Sequence, residues 1–402
     1  MFSARLPGQL EPNGFSRALA QARASGRILL DLTETNPTSV GISYPAALLS
    51  ALADPAGAAY APEPRGLRSA REAIAKKPSG RFFDDAAAKN RPDGFFVDPD
   101  HIVLTSSTSE AYSLIFKLLC DPGDRVLVPQ PSYPLFDLLT RLDAVDAAPY
   151  MLEHHGVWSI DRESLMRAST PRTRAVLVVS PNNPTGSMLR RDDREWLATY
   201  AAERQLALIA DEVFAEYPLA PRSDAVSLSG EARALTFVLG GLSKSVGLPQ
   251  MKLAWIEVTG PPDLVTPALE RLDVIADTYL SVSTPVQLAA ARLLDEGSAV
   301  RVQILARLRQ NLATLNHLVQ AHPAISVLPP EGGWSVVLRV PAVHREEELV
   351  LHLMEKEAVI VHPGYYFDFS NEAYLVLSLL PDPAVFRDGV ARVLGASTES
   401  HA

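Results

Sequence analysis

Two lysines near residue 250 have surroundings that suit chemistry better than solvation. The segment LGGLSKSVGLPQMK, residues 239–252, places Lys244 among glycines and serines, directly after an apolar run. A partly desolvated lysine can lose its proton and attack a carbonyl carbon, which forms a Schiff base. Lys252, eight residues on, could supply a fixed positive charge for an anion. Either lysine alone could equally be a surface residue, so the hypothesis depends on what converges on Lys244.

Three other polar segments follow apolar runs. TSSTSE (105–110) leads into a helical stretch whose N-terminus can hold an anion, although an ordinary N-cap cluster is the alternative. SPNNPTG (180–186) is a rigid turn that can fix the amide of Asn183, yet many plain turns share its composition. Asp211 ends an apolar run in IADEVF, where a carboxylate needs a positive partner or a hydrogen-bond donor unless it caps a helix.

Taken together, these groups match the needs of one cofactor. Pyridoxal 5′-phosphate requires a lysine that reacts with its aldehyde, a carboxylate that keeps its ring nitrogen protonated, an amide for its ring oxygen and a turn for its phosphate. The histidines, among them the adjacent pair His154 and His155, lack ligand partners nearby in the sequence. The sequence therefore predicts a pyridoxal-phosphate site and no metal.

The elements that must position these residues alternate along the chain. Runs rich in Val, Leu and Ile lie between amphipathic helical stretches, and they occupy residues 101–107, 124–130, 174–181, 206–214, 235–243 and 252–258. Such runs suit strands buried on both faces, and their alternation with helices is typical of a doubly wound, mostly parallel sheet. Ligands bind at the carboxyl ends of these strands, where the polar segments fall.

After Thr259 the pattern changes to that of a smaller α+β domain. A helical region from 262 to 321, broken near SVSTP (281–285), precedes the strand-like SVVLRV and YLVLSLL. We predict an N-terminal arm with part of the small domain (residues 1–45), a large cofactor-binding domain (46–290) and a small C-terminal domain (291–402). The irregular segment 76–94 is interpreted as an exposed loop.

Composition narrows the range of partners. The formal charge of −10 argues against binding nucleic acid or an anionic membrane, because little basic surface is left for phosphates along a polymer. No stretch approaches the apolar length of a membrane span, and no basic segment followed by an apolar run opens the sequence. The single cysteine, Cys120, suits a reducing compartment. We therefore expect a cytoplasmic protein with small-molecule partners.

The chain carries the motifs SPNNPTG, DEVF and GLSK. In their order and spacing it resembles the class I/II aminotransferases of fold type I. The resemblance runs from LTETNPT (32–38) to YLVLSLL (374–380). It implies a large domain with a mostly parallel seven-stranded sheet between helices, a smaller α+β domain, bound pyridoxal 5′-phosphate, and a homodimer that shares active sites across its interface.

Matching residues then receive the roles that the resemblance implies. Lys244 forms the Schiff base and, once released, moves the substrate proton, while Asp211 pairs with the ring nitrogen. Asn183 bonds the ring oxygen, Tyr133 stacks on the ring, and Tyr60 reaches the phosphate in the neighbouring subunit. Asn36 lies where relatives line the substrate pocket. The phosphate is assigned to Ser107, Thr108, Ser109, Ser243 and Lys252.

The sequence departs from the family pattern around this site. Phe214 replaces a tyrosine that donates to the ring oxygen, Lys252 replaces an arginine, and Gly241 replaces a phosphate-binding hydroxyl. Val376 stands where the family places the arginine that grips the substrate carboxylate. Arg339 could take that role, although most arginines in strands are solvated.

His362 falls near a segment that closes over the pocket in relatives, and packing is the preferred interpretation of it.

The leading hypothesis is an aminotransferase that moves an amino group from an amino acid to a 2-oxo acid by a ping-pong route. A lyase that eliminates at the β-carbon is the alternative, because the same fold and cofactor support it. A non-catalytic, effector-sensing relative is disfavoured, since the chain has no room for an N-terminal winged-helix domain. A nucleotide-binding dehydrogenase is disfavoured because no G-x-G-x-x-G follows a strand.

Overall fold

A computed structural model describes residues 2–8, 11–76, 96–220 and 224–398. Most of the predicted loop 76–94 therefore lies outside the described residues. Among the described residues, no helix combines the length and apolar character needed to cross a bilayer.

The largest sheet in the described part of the chain has eight strands. Its strand order is β2-β9-β8-β7-β6-β3-β4-β5. Strand β9 and the short edge strand β5 run against the others. The strands are β2 (Ile102–Thr105), β3 (Arg125–Gln130), β4 (Asp146–His154), β5 (Trp158–Ile160), β6 (Thr173–Val179), β7 (Ala207–Asp211), β8 (Thr236–Gly241) and β9 (Ala254–Thr259).

Helices cover this sheet, and the central strands are buried along their length, as their apolar runs predict. The helices that follow its strands are α4 (Thr108–Leu119), α5 (Leu135–Leu142), α6 (Arg162–Ala168), α7 (Arg191–Arg204), α8 (Leu242–Ser245) and α9 (Pro262–Tyr279). The predicted mostly parallel α/β architecture is confirmed. Seven strands were expected, and the edge strand β5 adds an eighth.

The predicted helical region 262–321 is divided where expected. Helix α9 ends at Tyr279, and the next residue, Leu280, adopts a left-handed backbone with φ of 45°. The next helix starts with Pro285 at its second position, where a missing N–H costs no helical bond. The two helices that continue this region are α10 (Thr284–Glu296) and α11 (Ser298–Leu318). The predicted domain boundary at residue 290 falls inside α10, and the division into three units stays a prediction.

A second sheet is built from the C-terminal part of the chain, with strand order β10-β11-β14-β13. These strands are β10 (Ser326–Leu328), β11 (Ser335–Arg339), β13 (His362–Pro363) and β14 (Tyr374–Ser378). The short strand β1 (Leu30–Asp31) pairs in parallel with β12 (Val359–Ile360), so the N-terminal segment is tied to this part of the protein. The remaining helices are α1 (Gly14–Ala24), α2 (Ala46–Ser50), α3 (Arg68–Ala75), α12 (Glu346–Glu355) and α13 (Pro383–Ala396).

Candidate active site

A cavity of about 510 Å³ lies where the carboxyl ends of the main strands face the second sheet. Its size is within the range of small-molecule sites, about 300–1,000 Å³. The sequence-predicted residues that line it are Ser107, Thr108, Ser109, Tyr133, Asn183, Asp211, Phe214, Ser243, Lys244 and Lys252. Segments separated by more than 100 residues in the chain are thus brought together at one site.

Lys244 projects its amine into this cavity from the short helix α8. Its Nζ lies 4.9 Å from the centre of the Trp334 ring and 5.6 Å from that of Phe214. Burial lowers the pKa of Lys244, while the Asp211 carboxylate opposes that shift. The Tyr217 hydroxyl donates to the Lys244 carbonyl at 2.5 Å, which fixes the backbone behind the amine. A lysine held in this way is suited to react as a nucleophile.

Asp211 is the last residue of β7, and its carboxylate is buried at the cavity wall. The Tyr112 hydroxyl donates to one carboxylate oxygen at 2.7 Å, and the Val213 N–H donates to the other at 3.1 Å. Burial raises the pKa of Asp211, whereas these two donors and the Lys244 charge lower it. The carboxylate is therefore held in place and ready to pair with a cationic ring nitrogen.

Asn183 is positioned by the loop 180–186. The Asn182 side chain braces this loop by accepting hydrogen bonds from the N–H and the hydroxyl of Thr185. Gly186 has φ of 69°, and a Cβ there would lie 2.5 Å from the Pro330 Cβ, so only glycine fits. The Ser335 hydroxyl donates to the Asn183 Oδ1 at 3.3 Å, which fixes the amide at the cavity wall.

The N-terminus of α4 borders one end of the cavity and is suited to hold an anion there. Ser107 caps this helix by accepting from the Glu110 N–H at 3.1 Å, so the following amides are directed at the cavity mouth. Lys252 lies exposed at the rim with a left-handed backbone, φ 51°. A phosphate at this end would meet a helix dipole, hydroxyls and one ammonium group.

A close contact between neighbouring strands favours a glycine at position 241. A Cβ on Gly241 would lie 3.0 Å from the Cβ of Ala254 on the neighbouring strand. A side chain at position 241 would therefore push β8 and β9 apart by a few tenths of an ångström, which disfavours the hydroxyl that the family pattern places there.

Three predicted residues do not line the cavity. Asn36 is exposed, and its side chain accepts from the Thr38 N–H and hydroxyl in a local turn. Arg339 is exposed at the end of β11. Tyr60 is 81% exposed and borders a separate, smaller cleft with Tyr279. The structure gives no support to a substrate-binding role for Asn36 or Arg339.

Sequence reasoning missed several residues that the structure places in the wall. They are Thr33, Thr35, Tyr112, Trp334, Ser335 and Ser378. Tyr112 could have been identified from the sequence, because a tyrosine on the apolar face of a helix needs a hydrogen-bond partner for its hydroxyl. Trp334 could not have been identified in this way, since its contact with Lys244 depends on how the second sheet packs against the first.

These residues fit pyridoxal phosphate. The amine, the buried carboxylate, the amide and the anion-binding helix end surround one cavity, and the aromatic ring of Tyr133, 45% exposed, borders it. The described residues contain no cluster of three or more His, Cys, Asp or Glu that could hold a metal ion.

Comparison with known proteins identifies the family. The model of the "Aminotransferase class I and II" family matches residues 34–385. The chain belongs to the class I and II aminotransferases. It is a pyridoxal-phosphate-dependent transaminase, and its substrates are amino acids and 2-oxo acids.

Curated relatives of this aminotransferase match most of its length. The alanine aminotransferase of Mycobacterium tuberculosis is 27% identical over 372 residues, which cover 90% of this chain and 84% of the relative. The glutamate-pyruvate aminotransferase AlaA of Escherichia coli is 25% identical, with 89% and 87% covered.

Solved structures share the fold. The alanine aminotransferase of Pyrococcus furiosus superimposes with a TM-score of 0.85 at 23% identity and covers both chains fully. The Thermus thermophilus aspartate aminotransferase with maleate gives a TM-score of 0.80 at 22% identity, over 98% of this aminotransferase and 99% of that chain. The predicted fold type I architecture is thereby confirmed.

Proposed function

We propose that the enzyme transfers the amino group of a small amino acid, alanine in the first instance, to a 2-oxo acid in two half-reactions at Lys244. The observation that carries this proposal is the placement of the Lys244 amine and the buried Asp211 carboxylate in one cavity with the N-terminus of α4. The names of the relatives in Mycobacterium tuberculosis and Escherichia coli support alanine and pyruvate as one substrate pair.

Each cavity residue has a task in this scheme. Pyridoxal phosphate, when bound, supplies an aldehyde open to attack by amines and a ring that accepts electrons. Lys244 holds the cofactor covalently, and its freed Nζ takes the proton from the substrate α-carbon and returns it in the next step. Burial favours the neutral form of this amine, which is the form able to accept a proton.

The remaining groups hold the cofactor and tune it. Asp211 keeps the ring nitrogen protonated, and Asn183 donates to the ring oxygen. Phe214 has no hydroxyl to share that oxygen, and Tyr133 covers the ring face. The phosphate contacts are Ser107, Thr108, Ser109, Ser243 and Lys252.

A homodimer is part of the proposal. The resemblance assigns Tyr60 to the phosphate in the partner subunit, and its 81% exposure in one chain is consistent with a role outside that chain. Sedimentation should give about twice the 43.6 kDa chain mass. A cytoplasmic location stays a prediction that rests on the single cysteine.

The half-reaction tests the function. Cofactor-loaded enzyme is mixed with L-alanine and no oxo acid, and its visible absorbance band and the pyruvate formed are followed. We expect the band to disappear with one pyruvate per subunit and to return when 2-oxoglutarate is added. Repeated turnover of a β-substituted amino acid to ammonia and pyruvate without an oxo acid would instead show elimination.

A further inference from the structure

The wall of the cavity opposite the main sheet comes from the second sheet, and its cross-strand pairs place specific side chains in it. His362 on β13 is the partner of Val376 on β14, and Ser335 on β11 is the partner of Ser378. Directly opposed residues of an antiparallel pair point to the same face, as do residues two apart on one strand. All four line the cavity, so they form a single surface, which we term the substrate wall.

Position 376 cannot bind a carboxylate. The Val376 side chain is 2% exposed and belongs to an apolar cluster with Trp158, Val337 and Phe367. None of the described residues that line the cavity is an arginine. A carboxylate that leaves water for such a wall needs a cation or several hydrogen-bond donors to offset its desolvation.

His362 is the cross-strand partner of Val376 and lines the same cavity, so its ring can supply such a donor. Its ring centre lies 5.9 Å from that of Tyr366 and 5.8 Å from that of Phe367, so aromatic neighbours hold it in place. Burial lowers the pKa of His362, and the nearby Asp31 carboxylate partly opposes this shift. A neutral imidazole still donates one N–H, and a carboxylate beside it would favour the cationic form.

Hydroxyl groups complete this surface. Ser378 and Ser335 form the next cross-strand pair, and Thr33 and Thr35 reach the cavity from the segment that follows β1. The Ser335 and Thr33 hydroxyls already donate to the Asn183 and Asp31 side chains. The Ser378 and Thr35 hydroxyls can donate to the second carboxylate oxygen.

We propose that His362 binds the α-carboxylate of the amino acid substrate, in the role that the family pattern gives to an arginine at position 376. The inference rests on the proposed aminotransferase function. Lys244 and Asp211 keep the family pattern although that arginine is lost, because they follow strands of the main sheet whereas position 376 lies on the second sheet.

The test compares two amines that differ by the carboxylate. His362→Leu and His362→Gln are prepared with cofactor, and the half-reaction is measured with L-alanine and with ethylamine. For His362→Leu, kcat/KM for alanine should fall about 10- to 100-fold, because a charge-assisted hydrogen bond is lost. Most of the fall should appear in KM. The cofactor band and the slow reaction with ethylamine should match those of the wild type.

His362→Gln keeps N–H donors but cannot become cationic, so its kcat/KM for alanine should lie between those of the wild type and His362→Leu. An unchanged KM for alanine in His362→Leu would overturn the inference. An equal loss with alanine and ethylamine would also overturn it, since it would show a structural role.

A second pair of variants supplies the missing cation. Val376→Arg added to His362→Leu should recover at least part of the affinity for alanine, while the matched Val376→Leu should not. Equal recovery by both would count against carboxylate binding at this wall. If the Val376→Arg variant does not bind cofactor, the inference is tested by the comparison of alanine with ethylamine in His362→Leu. Wild-type enzyme that reacts with no amino acid would contradict the proposed function itself, a result distinct from any of these.

Discussion

The two walls of the active-site cavity come from different sheets and carry different kinds of side chains. We term the wall that contains Lys244 and Asp211 the cofactor wall. On the cofactor wall, Lys244 and Asp211 follow buried strands of the main sheet, and further buried groups hold them through hydrogen bonds from Tyr217 and Tyr112. The substrate wall presents a valine, a histidine and hydroxyls on a separate four-stranded sheet. Under the proposed assignments, the residues for the shared chemistry and those for substrate choice lie on separate sheets, so one set can change without the other.

Removal of the reactive amine should give the largest effect. Lys244→Ala deprives the cavity of both the covalent attachment and the group that moves the substrate proton, so turnover should fall at least about a thousandfold. The stopped-flow half-reaction with alanine measures this loss. If turnover stays within a few-fold of the wild type, the assignment of the chemistry to the cofactor wall is wrong.

Neutralisation of the buried carboxylate should give the next largest effect. Asp211→Asn keeps the shape but removes the charge that holds the ring nitrogen protonated, and turnover should fall about 100- to 1,000-fold. The KM for alanine should change much less, because the substrate wall is untouched. A large rise in KM with unchanged turnover would break the separation of the two walls.

Loss of the tyrosine behind Asp211 should give a smaller, pH-dependent effect. Tyr112→Phe removes a donor that lowers the Asp211 pKa, so that pKa should rise further and the ionised form should require a higher pH. The acid side of the pH profile of kcat should therefore move to higher pH. His362→Leu is the control, since its profile should keep the acid side that belongs to Asp211.

Exchange of the rim cation should give the smallest effect. The guanidinium in Lys252→Arg can donate two parallel hydrogen bonds to the phosphate. The affinity for the cofactor should therefore improve by about tenfold or less. The left-handed backbone at this position, φ 51°, imposes the same requirement on both residues. Equilibrium dialysis with pyridoxal phosphate measures the change, and Lys252→Gln should weaken binding. Altered kcat/KM for alanine at saturating cofactor would contradict a role confined to the phosphate.

Much of the cofactor wall could be predicted because its residues directly follow strands. Each of the six predicted runs overlaps a strand of the main sheet, and the catalytic candidates lie at the carboxyl ends of β7 and β8. Strand β4 was missed because its sequence, DAAPYMLEH, carries a proline and is half exposed near the sheet edge.

The substrate wall could not be predicted in the same way. His362 and Val376 meet only because β13 pairs with β14, and Trp334 reaches Lys244 only because two sheets pack together. Arg339 was a candidate as a cation in the strand-like SVVLRV, but it is exposed at the end of β11. Register and domain packing depend on contacts far apart in the chain, which local patterns do not encode.

The most direct measurement maps the covalent attachment of the cofactor. Cofactor-loaded enzyme is reduced with borohydride and digested, and the peptides are analysed by mass spectrometry. The two lysines provide an internal control, because both line the same cavity. We expect one pyridoxyl group per subunit, on Lys244. Modification of Lys252 with Lys244 unmodified would show that Lys244 is not the attachment site.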